Sequence, residues 1–417
     1  MRSLLCVAVL FLTGLSVLGQ RFASEAELDA KARAIHGRLI AIDTHTDVLL
    51  PETNNYYYLP GRQSRTDVEK LKRGGMGAVA IAIAVHQTAR APEGYAAAKK
   101  EAEEKLAIIR KLLADNPGSV ELARTAADIE RIRKAGKVAV IESFVNAYSI
   151  GTDIGKIDEL YKEGVRLFGL VHGDNNDWAD SSRAPDGKSE HNGLSDLGKQ
   201  AIGKLNGLGM IVDVSQMSDV ATLQTIKLSK APVVASHSSV RSIVDKPRNL
   251  SDAELDAIKT NGGVVGITVW NGYVANVHTL PPDILSKLRA IREKYGFPAE
   301  FPGTDFAYGI EGHLPQGPYY DFYGESVAVY PKANIKDVVD HIDYIAKRIG
   351  VEHVGIGSDF NHGSGVEGFN DESEAPNITK ELLRRGYTEK QIAKIWGGNF
   401  LRVWRQVEKV SKELKRK

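Results

Sequence analysis

Cysteine is the residue that this sequence most conspicuously lacks: the chain of 417 residues contains one, Cys6. Cys6 lies in an apolar run over residues 4–18, which is typical of a secretory signal peptide and short for a membrane span. We predict a signal peptide over residues 1–20, cleaved near Gly19 or Ala23. The mature chain would then contain no cysteine, which excludes disulfide bonds, thiolate metal ligands and a cysteine nucleophile. Any metal site must be built from His, Asp and Glu.

Excess charge of either sign is also missing. Lys and Arg total 54 against 53 for Asp and Glu, a formal net charge of +1. A chain with balanced charge lacks the positive electrostatic field that attracts nucleic acids or anionic membranes, so we expect neither as a partner. We also expect no stable membrane span after the signal peptide is removed, and an exported protein, periplasmic or extracellular.

Eight short apolar runs, rich in β-branched residues, alternate mostly with helical patterns. They cover residues 38–42, 78–85, 138–141, 165–171, 210–214, 233–235, 264–269 and 354–356. This alternation predicts a (β/α)8 TIM-type barrel, an α/β fold that forms one domain over residues 21–417. A doubly wound open sheet is the alternative, but no glycine fingerprint for a dinucleotide follows any strand. A long insertion at about 274–330, between the seventh and eighth runs, is predicted to act as a lid.

The first run ends in the motif Asp43-Thr44-His45-Thr46-Asp47. On extended backbone, residues two apart point to the same side, so His45 and Asp47 can reach one point together. An imidazole and a carboxylate that converge at a strand end suit a divalent ion such as zinc. Taken alone, the motif is equally compatible with a solvated strand end.

Polar residues follow five of the other runs as well, and in a barrel the chemistry lies at these strand ends. They are Glu142, His172, Asp213 with Gln216, His237 and Asp359. Each has a structural alternative: a buried salt bridge for Glu142, a core histidine for His237, a loop hydrogen bond for His172 and an Asx-turn for Asp359. Together they indicate a metal-assisted hydrolase, in which a metal-bound water attacks a carbonyl and a carboxylate carries the proton.

These strand ends resemble the membrane (renal) dipeptidase family of zinc peptidases, a branch of the amidohydrolase-like barrels. The resemblance covers most of the mature chain. Its segments are residues 43–47, 141–142, 170–180, 208–215, 231–239, 247–250, 355–360 and 397–402.

The resemblance implies a role for each matching residue. His45 and Asp47 would hold one zinc, Glu142 would bridge, and His237 would complete the second site. His172 would polarise the scissile carbonyl, and Asp359 would pass the proton to the leaving amine. Arg248 would bind the C-terminal carboxylate of a dipeptide, and Tyr273 would face the substrate. The family also implies tolerance of a D-residue at the C-terminal position and a homodimer.

One departure concerns the second metal. The family usually has a histidine where this chain has Gln216, and an amide oxygen is a weaker zinc ligand than imidazole nitrogen. We therefore expect a tight first site and a weak or differently filled second site. Two zinc ions per chain that survive dialysis would contradict this expectation.

Two other functions stay open at this stage. The altered ligand and the insertion fit a tailoring enzyme that acts on an exported peptide-like metabolite. A non-catalytic binding protein with the same fold is the third possibility. The residues that argue against it are all intact: His45, Asp47, Glu142, His237, Arg248 and Asp359.

Overall fold

The computed structural model describes residues 24–184, 187–275, 277, 279–310 and 313–416. The predicted signal peptide at 1–20 lies outside the described residues. Within the described part, no helix is both long enough and apolar enough to cross a membrane.

Parallel strands form the centre of the fold. They are β1 (Ala41–Asp47), β2 (Met76–Ala84), β3 (Val120–Leu122), β4 (Val138–Val145), β5 (Val165–Gly169), β6 (Ile211–Asp213), β7 (Val234–Ser238), β8 (Val264–Ile267) and β9 (Val354–Ile356). Because β2 pairs with both β1 and β4, eight of the strands close into a barrel. The ninth, β3, pairs with the start of β4 and stands outside the ring. The predicted (β/α)8 barrel is confirmed, and β3 is an addition that the sequence analysis missed.

Helices cover the outside of the barrel. They are α1 (Glu25–His36), α2 (Val68–Arg73), α3 (Pro92–Asp115), α4 (Ala126–Lys134), α5 (Lys156–Glu163), α6 (Asp196–Leu208), α7 (Asp219–Leu228), α8 (Asp252–Asn261), α9 (Asn271–Val274), α10 (Pro282–Lys294), α11 (Gln316–Val329), α12 (Ile335–Arg348), α13 (Pro376–Arg384), α14 (Glu389–Ala393) and α15 (Asn399–Leu414). A π-helical turn, Lys394–Gly398, joins α14 to α15. Several begin with a side-chain cap, as at Ser251, which accepts from the Glu254 N–H of α8.

Alternation along each strand separates the barrel interior from the helix-covered face. On β4, Ala139 and Ile141 belong to the interior cluster, whereas Val140 and Phe144 pack with the helices. Trp404 of α15 joins the interior cluster, and α15 covers the end of the barrel where the strands begin. The opposite end, where the strands finish, carries the polar residues.

The insertion between β8 and β9 is largely helical. Helices α10 and α11 pack together, and Glu325 accepts from both Lys294 and Tyr295. Arg292 of α10 donates to the backbone carbonyls of Phe306 and Tyr308, which fixes the connecting segment. The insertion is therefore a packed layer over the strand ends.

Candidate metal centre and active site

His45 and His237 stand side by side at the ends of β1 and β7. Their rings stack with centroids 3.6 Å apart and planes inclined by 19°. The carboxylate of Asp43 accepts from the backbone N–H groups of His45 and Ser358, and so ties the end of β1 to the segment that follows β9. Both imidazoles are about 1% exposed. The barrel thus delivers two buried imidazoles to one point.

A hydrogen-bond chain orients His237. Its Nδ1 lies 2.7 Å from the Ser236 hydroxyl, which in turn donates to the carboxylate of Asp213. A carboxylate behind a hydroxyl favours the tautomer in which Nδ1 carries the proton and Nε2 is the unprotonated nitrogen. Burial keeps the pKa of His237 well below its ordinary value, so the ring stays neutral, the form that binds a metal.

Two carboxylates and a further imidazole adjoin this pair. His362 Nδ1 lies 2.6 Å from Asp47 Oδ2 and 3.6 Å from Asp359 Oδ1. His45 Nε2 lies 3.5 Å from Asp47 Oδ1 and 3.8 Å from Asp359 Oδ1. Burial alone would raise the pKa of Asp47. The attraction of the neighbouring His362 and His45 outweighs burial, so the pKa of Asp47 lies well below its ordinary value. Asp47 is therefore ionised, and burial instead raises the pKa of Asp359.

These side chains fit a divalent metal. His45, His237 and Asp359 form one group whose donor atoms all lie within 4.8 Å of one another, and Asp47, Asp359 and His362 form another. Asp47 Oδ1 and Asp359 Oδ1 are buried, and neither has a hydrogen-bond partner among the described residues. Buried carboxylate oxygens without partners are costly unless a cation binds them. Imidazole nitrogen with carboxylate oxygen is a donor set that suits zinc.

Glu142 does not join this cluster, so its predicted role as the bridging ligand is corrected. It lies on the helix-facing side of β4, where its carboxylate closely approaches Gly164 at the end of α5. Burial raises its pKa to about 7. The reason is the period of two along a strand: Ile141 faces the interior, so Glu142 must face outward.

Gln216 does reach the cluster. Its backbone adopts φ 70°, and its side-chain Nε2 lies 3.0 Å from His237 Nε2. The other amide atom, Oε1, is buried with no hydrogen-bond partner in the described part of the chain. The amide therefore adjoins the predicted metal position.

The predicted substrate-binding residues surround the same point. His172 lies parallel to His362 with ring centroids 5.3 Å apart, and burial holds its pKa well below the ordinary value. Arg248 is 4% exposed and donates to the carbonyl of His237 at 2.7 Å and to Ser238 Oγ at 3.2 Å. The guanidinium carbon lies 5.6 Å from the centroid of the Tyr273 ring. The structure thus brings His172, Arg248 and Tyr273 to the cluster.

Aromatic residues enclose this pocket. Its lining is Tyr57, Arg183, Gln216, Arg248, Trp270, Tyr273, Tyr319, Tyr323, Asp359 and His362. Arg183 donates to the hydroxyls of Tyr273 and Tyr319, both at 3.3 Å. A second cavity of about 250 Å³ continues outward from Arg248 and Tyr273 past Lys246 and Asp305.

Sequence reasoning missed His362 and Arg183. His362 follows Asp359 by three residues, inside a turn in which Asp359 and Asn361 have φ 60° and 65°. The sequence signal for His362 was its place three residues after Asp359, a carboxylate at a strand end. Arg183 lies on the long loop after β5, and nothing in its local sequence distinguishes it.

A closed parallel barrel with His and Asp donors gathered at its strand ends defines the class of metal-dependent barrel hydrolases. The family "Membrane dipeptidase (Peptidase family M19)" matches residues 29–417. The chain belongs to this family and is a metallo-dipeptidase with a metal cofactor, which confirms the resemblance seen in the sequence.

Individual relatives agree with this assignment. Dipeptidase verJ of Clonostachys rogersoniana is 30% identical over 364 residues, 85% of this chain and 79% of that protein. The crystal structure of the probable dipeptidase PvdM from Pseudomonas aeruginosa is 37% identical, covers 92% of this chain and 99% of that one, and has a TM-score of 0.82. A metallopeptidase from Rhodobacter sphaeroides, bound to a phosphinate mimic of L-Ala-D-Ala, shares the fold at 20% identity, with a TM-score of 0.67 over 88% of this chain and 99% of that one.

Proposed function

We propose that this protein is an exported zinc dipeptidase that hydrolyses the peptide bond of free dipeptides. The supporting observation is that the buried Arg248 lines one pocket together with Asp359 and His362, which belong to the donor cluster. A free dipeptide has its C-terminal carboxylate one residue beyond the scissile bond. A guanidinium close to the donor cluster therefore selects substrates that end there.

Zinc is the metal that we propose, held by His45, His237 and Asp359, with Asp47 beside them. When bound, it would supply a water of lowered pKa and polarise the scissile carbonyl. The rest of the chemistry belongs to the side chains around it.

His172 is neutral because burial lowers its pKa, so it can donate a hydrogen bond without carrying charge. We assign it the scissile carbonyl oxygen, where a fixed donor stabilises developing negative charge. Asp359 would accept a proton and pass it to the leaving amine through the carboxylate oxygen that does not bind the metal. Arg248 would grip the C-terminal carboxylate with its planar fork.

Tyr319 and Tyr323 of α11 lie over the pocket, with Tyr273 and Trp270 on its wall. We propose that this layer excludes water and restricts the side chains that enter. We also expect this pocket to accept dipeptides whose C-terminal residue is a D-amino acid.

The decisive experiment is hydrolysis of a dipeptide panel, including L,D-dipeptides, by the zinc-loaded enzyme and by the variant Asp359→Asn. We expect turnover that is lost on chelation, restored by zinc and lost in the variant. A zinc-loaded enzyme that cleaves no dipeptide contradicts the proposal.

A second candidate, a tailoring enzyme for an exported peptide-like metabolite, is favoured by the outer cavity of about 250 Å³ beyond Arg248. A dipeptide held by Arg248 would leave that space unused. Faster cleavage of longer peptides, or of dipeptides with blocked C-termini, would favour this candidate over the first.

Export and assembly complete the proposal. We propose that residues 1–20 are removed on secretion to the periplasm or the outside of the cell, and that the mature chain forms a homodimer. N-terminal sequencing of the secreted protein and its mass in solution test these two points separately.

A further inference from the structure

His362 occupies a position that the proposed roles leave unused. Its Nδ1 lies 2.6 Å from Asp47 Oδ2 and 3.6 Å from Asp359 Oδ1. Its side chain is 21% exposed, whereas those of Asp47 and Asp359 are 8% and 6% exposed. His362 therefore closes the cluster on the pocket side.

Backbone hydrogen bonds hold this turn against β1. The N–H of Asp359 donates to the carbonyl of His45 at 2.9 Å, and the N–H of Asp47 donates to the carbonyl of Phe360 at 2.9 Å. The side chain of Asn361 donates to the carbonyl of Asp47 at 3.0 Å. The strand that carries Asp47 thus also positions His362, so their proximity is a property of the fold.

An ion pair between His362 and Asp47 leaves part of the cluster unsatisfied. It uses Asp47 Oδ2, while Asp47 Oδ1 and Asp359 Oδ1 stay buried without hydrogen-bond partners among the described residues. Two carboxylates that face one another in a buried site repel unless positive charge lies between them. A divalent cation would bind both oxygens and the imidazole nitrogen at once.

We propose that Asp47, Asp359 and His362 form the second metal position of this enzyme. This position takes the place of the one that the family resemblance assigned to Glu142, His237 and the residue at Gln216. Glu142 faces away from the barrel interior, and the Gln216 amide contacts His237 at the first position. His362 supplies the imidazole, and Asp359 is shared between the two positions.

The donor set is chemically sufficient. Three protein ligands with one open coordination position is the arrangement of catalytic zinc sites. The inference rests on the proposed function in that His45 and His237 hold the first metal. It also reverses the expectation of a weak second site, because the second position no longer depends on an amide ligand.

The number of zinc ions bound per chain tests the second metal position directly. The purified protein is stripped of metal, loaded with zinc, dialysed against metal-free buffer and analysed for zinc per chain. We expect two zinc ions in the wild type, one in His362→Ala and two in Gln216→Ala. The matched control is His353→Ala, which removes a half-buried histidine that precedes β9 at the other end of the barrel and should retain two.

Calorimetric titration of the stripped proteins with zinc gives a second measurement, with two binding events in the wild type and one in His362→Ala. If His362→Ala fails to fold by circular dichroism, His362→Gln keeps the side-chain volume and serves instead. An unchanged zinc count in the His362 variant, or fewer than two zinc ions in the wild type, overturns the inference. Two zinc ions without dipeptide hydrolysis would contradict only the proposed function.

Discussion

Arg248 is the residue whose predicted role has the sharpest kinetic signature. Its guanidinium is buried and already donates to His237 O, so it is oriented before any substrate arrives. Arg248→Lys keeps the charge but loses the planar fork. Charge-assisted hydrogen bonds contribute about 1.5–3 kcal/mol each, so we expect KM for a dipeptide to rise roughly 10- to 100-fold.

The control for Arg248 is the substrate itself. The C-terminal amide of the same dipeptide lacks the carboxylate, so the wild type should cleave it poorly and the variant should show little preference between the two. A variant that keeps the wild-type ratio of kcat/KM for acid over amide would contradict the role of Arg248.

His341 of α12 makes stability depend on pH. It is fully buried, its Nδ1 accepts from the Val240 N–H at 3.0 Å, and burial lowers its pKa to about 4. The unfolded chain binds this proton near pH 6.5, so the stabilisation is complete above that pH and disappears as pH falls toward 4. We expect His341 to account for about 3 kcal/mol of the loss in the free energy of unfolding over this range.

Denaturant unfolding of metal-stripped protein at several pH values measures that loss. His341→Gln should be less stable at pH 7 but should have a flatter pH profile between pH 6.5 and 4. His313→Gln, at an exposed position, should have the wild-type profile. If the His341 variant and the wild type have equal slopes, burial of His341 is not the cause.

Single residues also show how far sequence reasoning reaches. His45 and Asp47 were found because alternation in an extended strand places them on one side, and the structure has them there. The same alternation places Glu142 on the opposite side of the strand from Ile141. Glu142 is nevertheless assigned to the metal site from the sequence, because residues 141–142 resemble the family's segment. His362 could not be found by strand logic, because a turn with two left-handed residues brings it back to the cluster.

At the scale of elements, the lid is the part that most directly controls the pocket. Tyr319 and Tyr323 lie on α11, and the hydroxyl of Tyr319 accepts from Arg183 at 3.3 Å. Tyr323→Ala should widen the pocket and improve kcat/KM for bulky dipeptides relative to Ala-Ala by about tenfold. That factor corresponds to about 1.4 kcal/mol of differential binding.

Trimming α10 and α11 tests the lid as a whole, with Tyr319→Phe as the conservative counterpart that removes one hydroxyl. Folding of the trimmed protein is checked by circular dichroism, because Phe306 and Phe322 of the insertion are buried. A panel of dipeptides with unchanged relative kcat/KM in all three variants would contradict a role of the lid in substrate selection.

Helices and strands with a strong sequence pattern were predicted, and those with a weak pattern were missed. Long apolar runs such as that of β2 predicted strands correctly, because burial on both faces leaves only apolar residues there. The three residues of β3 are too few for any period to show. No helix is predicted at α11 from the sequence, because the glycines, proline and tyrosines of this segment obscure a helical pattern.

At the scale of the whole molecule, metal binding couples the site to stability. The donor residues come from β1, β7 and the turn after β9, which are distant in sequence and meet only in the folded barrel. A ligand that binds the folded state alone at about 1,000 times its Kd stabilises it by about 4 kcal/mol. For a chain of this length, chelation should therefore lower Tm by on the order of 5 °C and abolish hydrolysis.

The double variant His45→Ala/His237→Ala separates metal from chelator effects. It removes the stacked imidazole pair and with it the first metal position, but it leaves Asp47, Asp359 and His362 in place. Chelation should therefore lower its Tm by less than it lowers that of the wild type, and zinc should not restore activity. One cooperative transition in every sample would also fit the proposal that residues 21–417 form one domain. A wild-type Tm that chelation leaves unchanged, in protein whose loss of zinc has been verified, would show that the metal contributes nothing to folding stability. The gathered carboxylates would then have to be stabilised by His362 and the neighbouring hydrogen bonds alone.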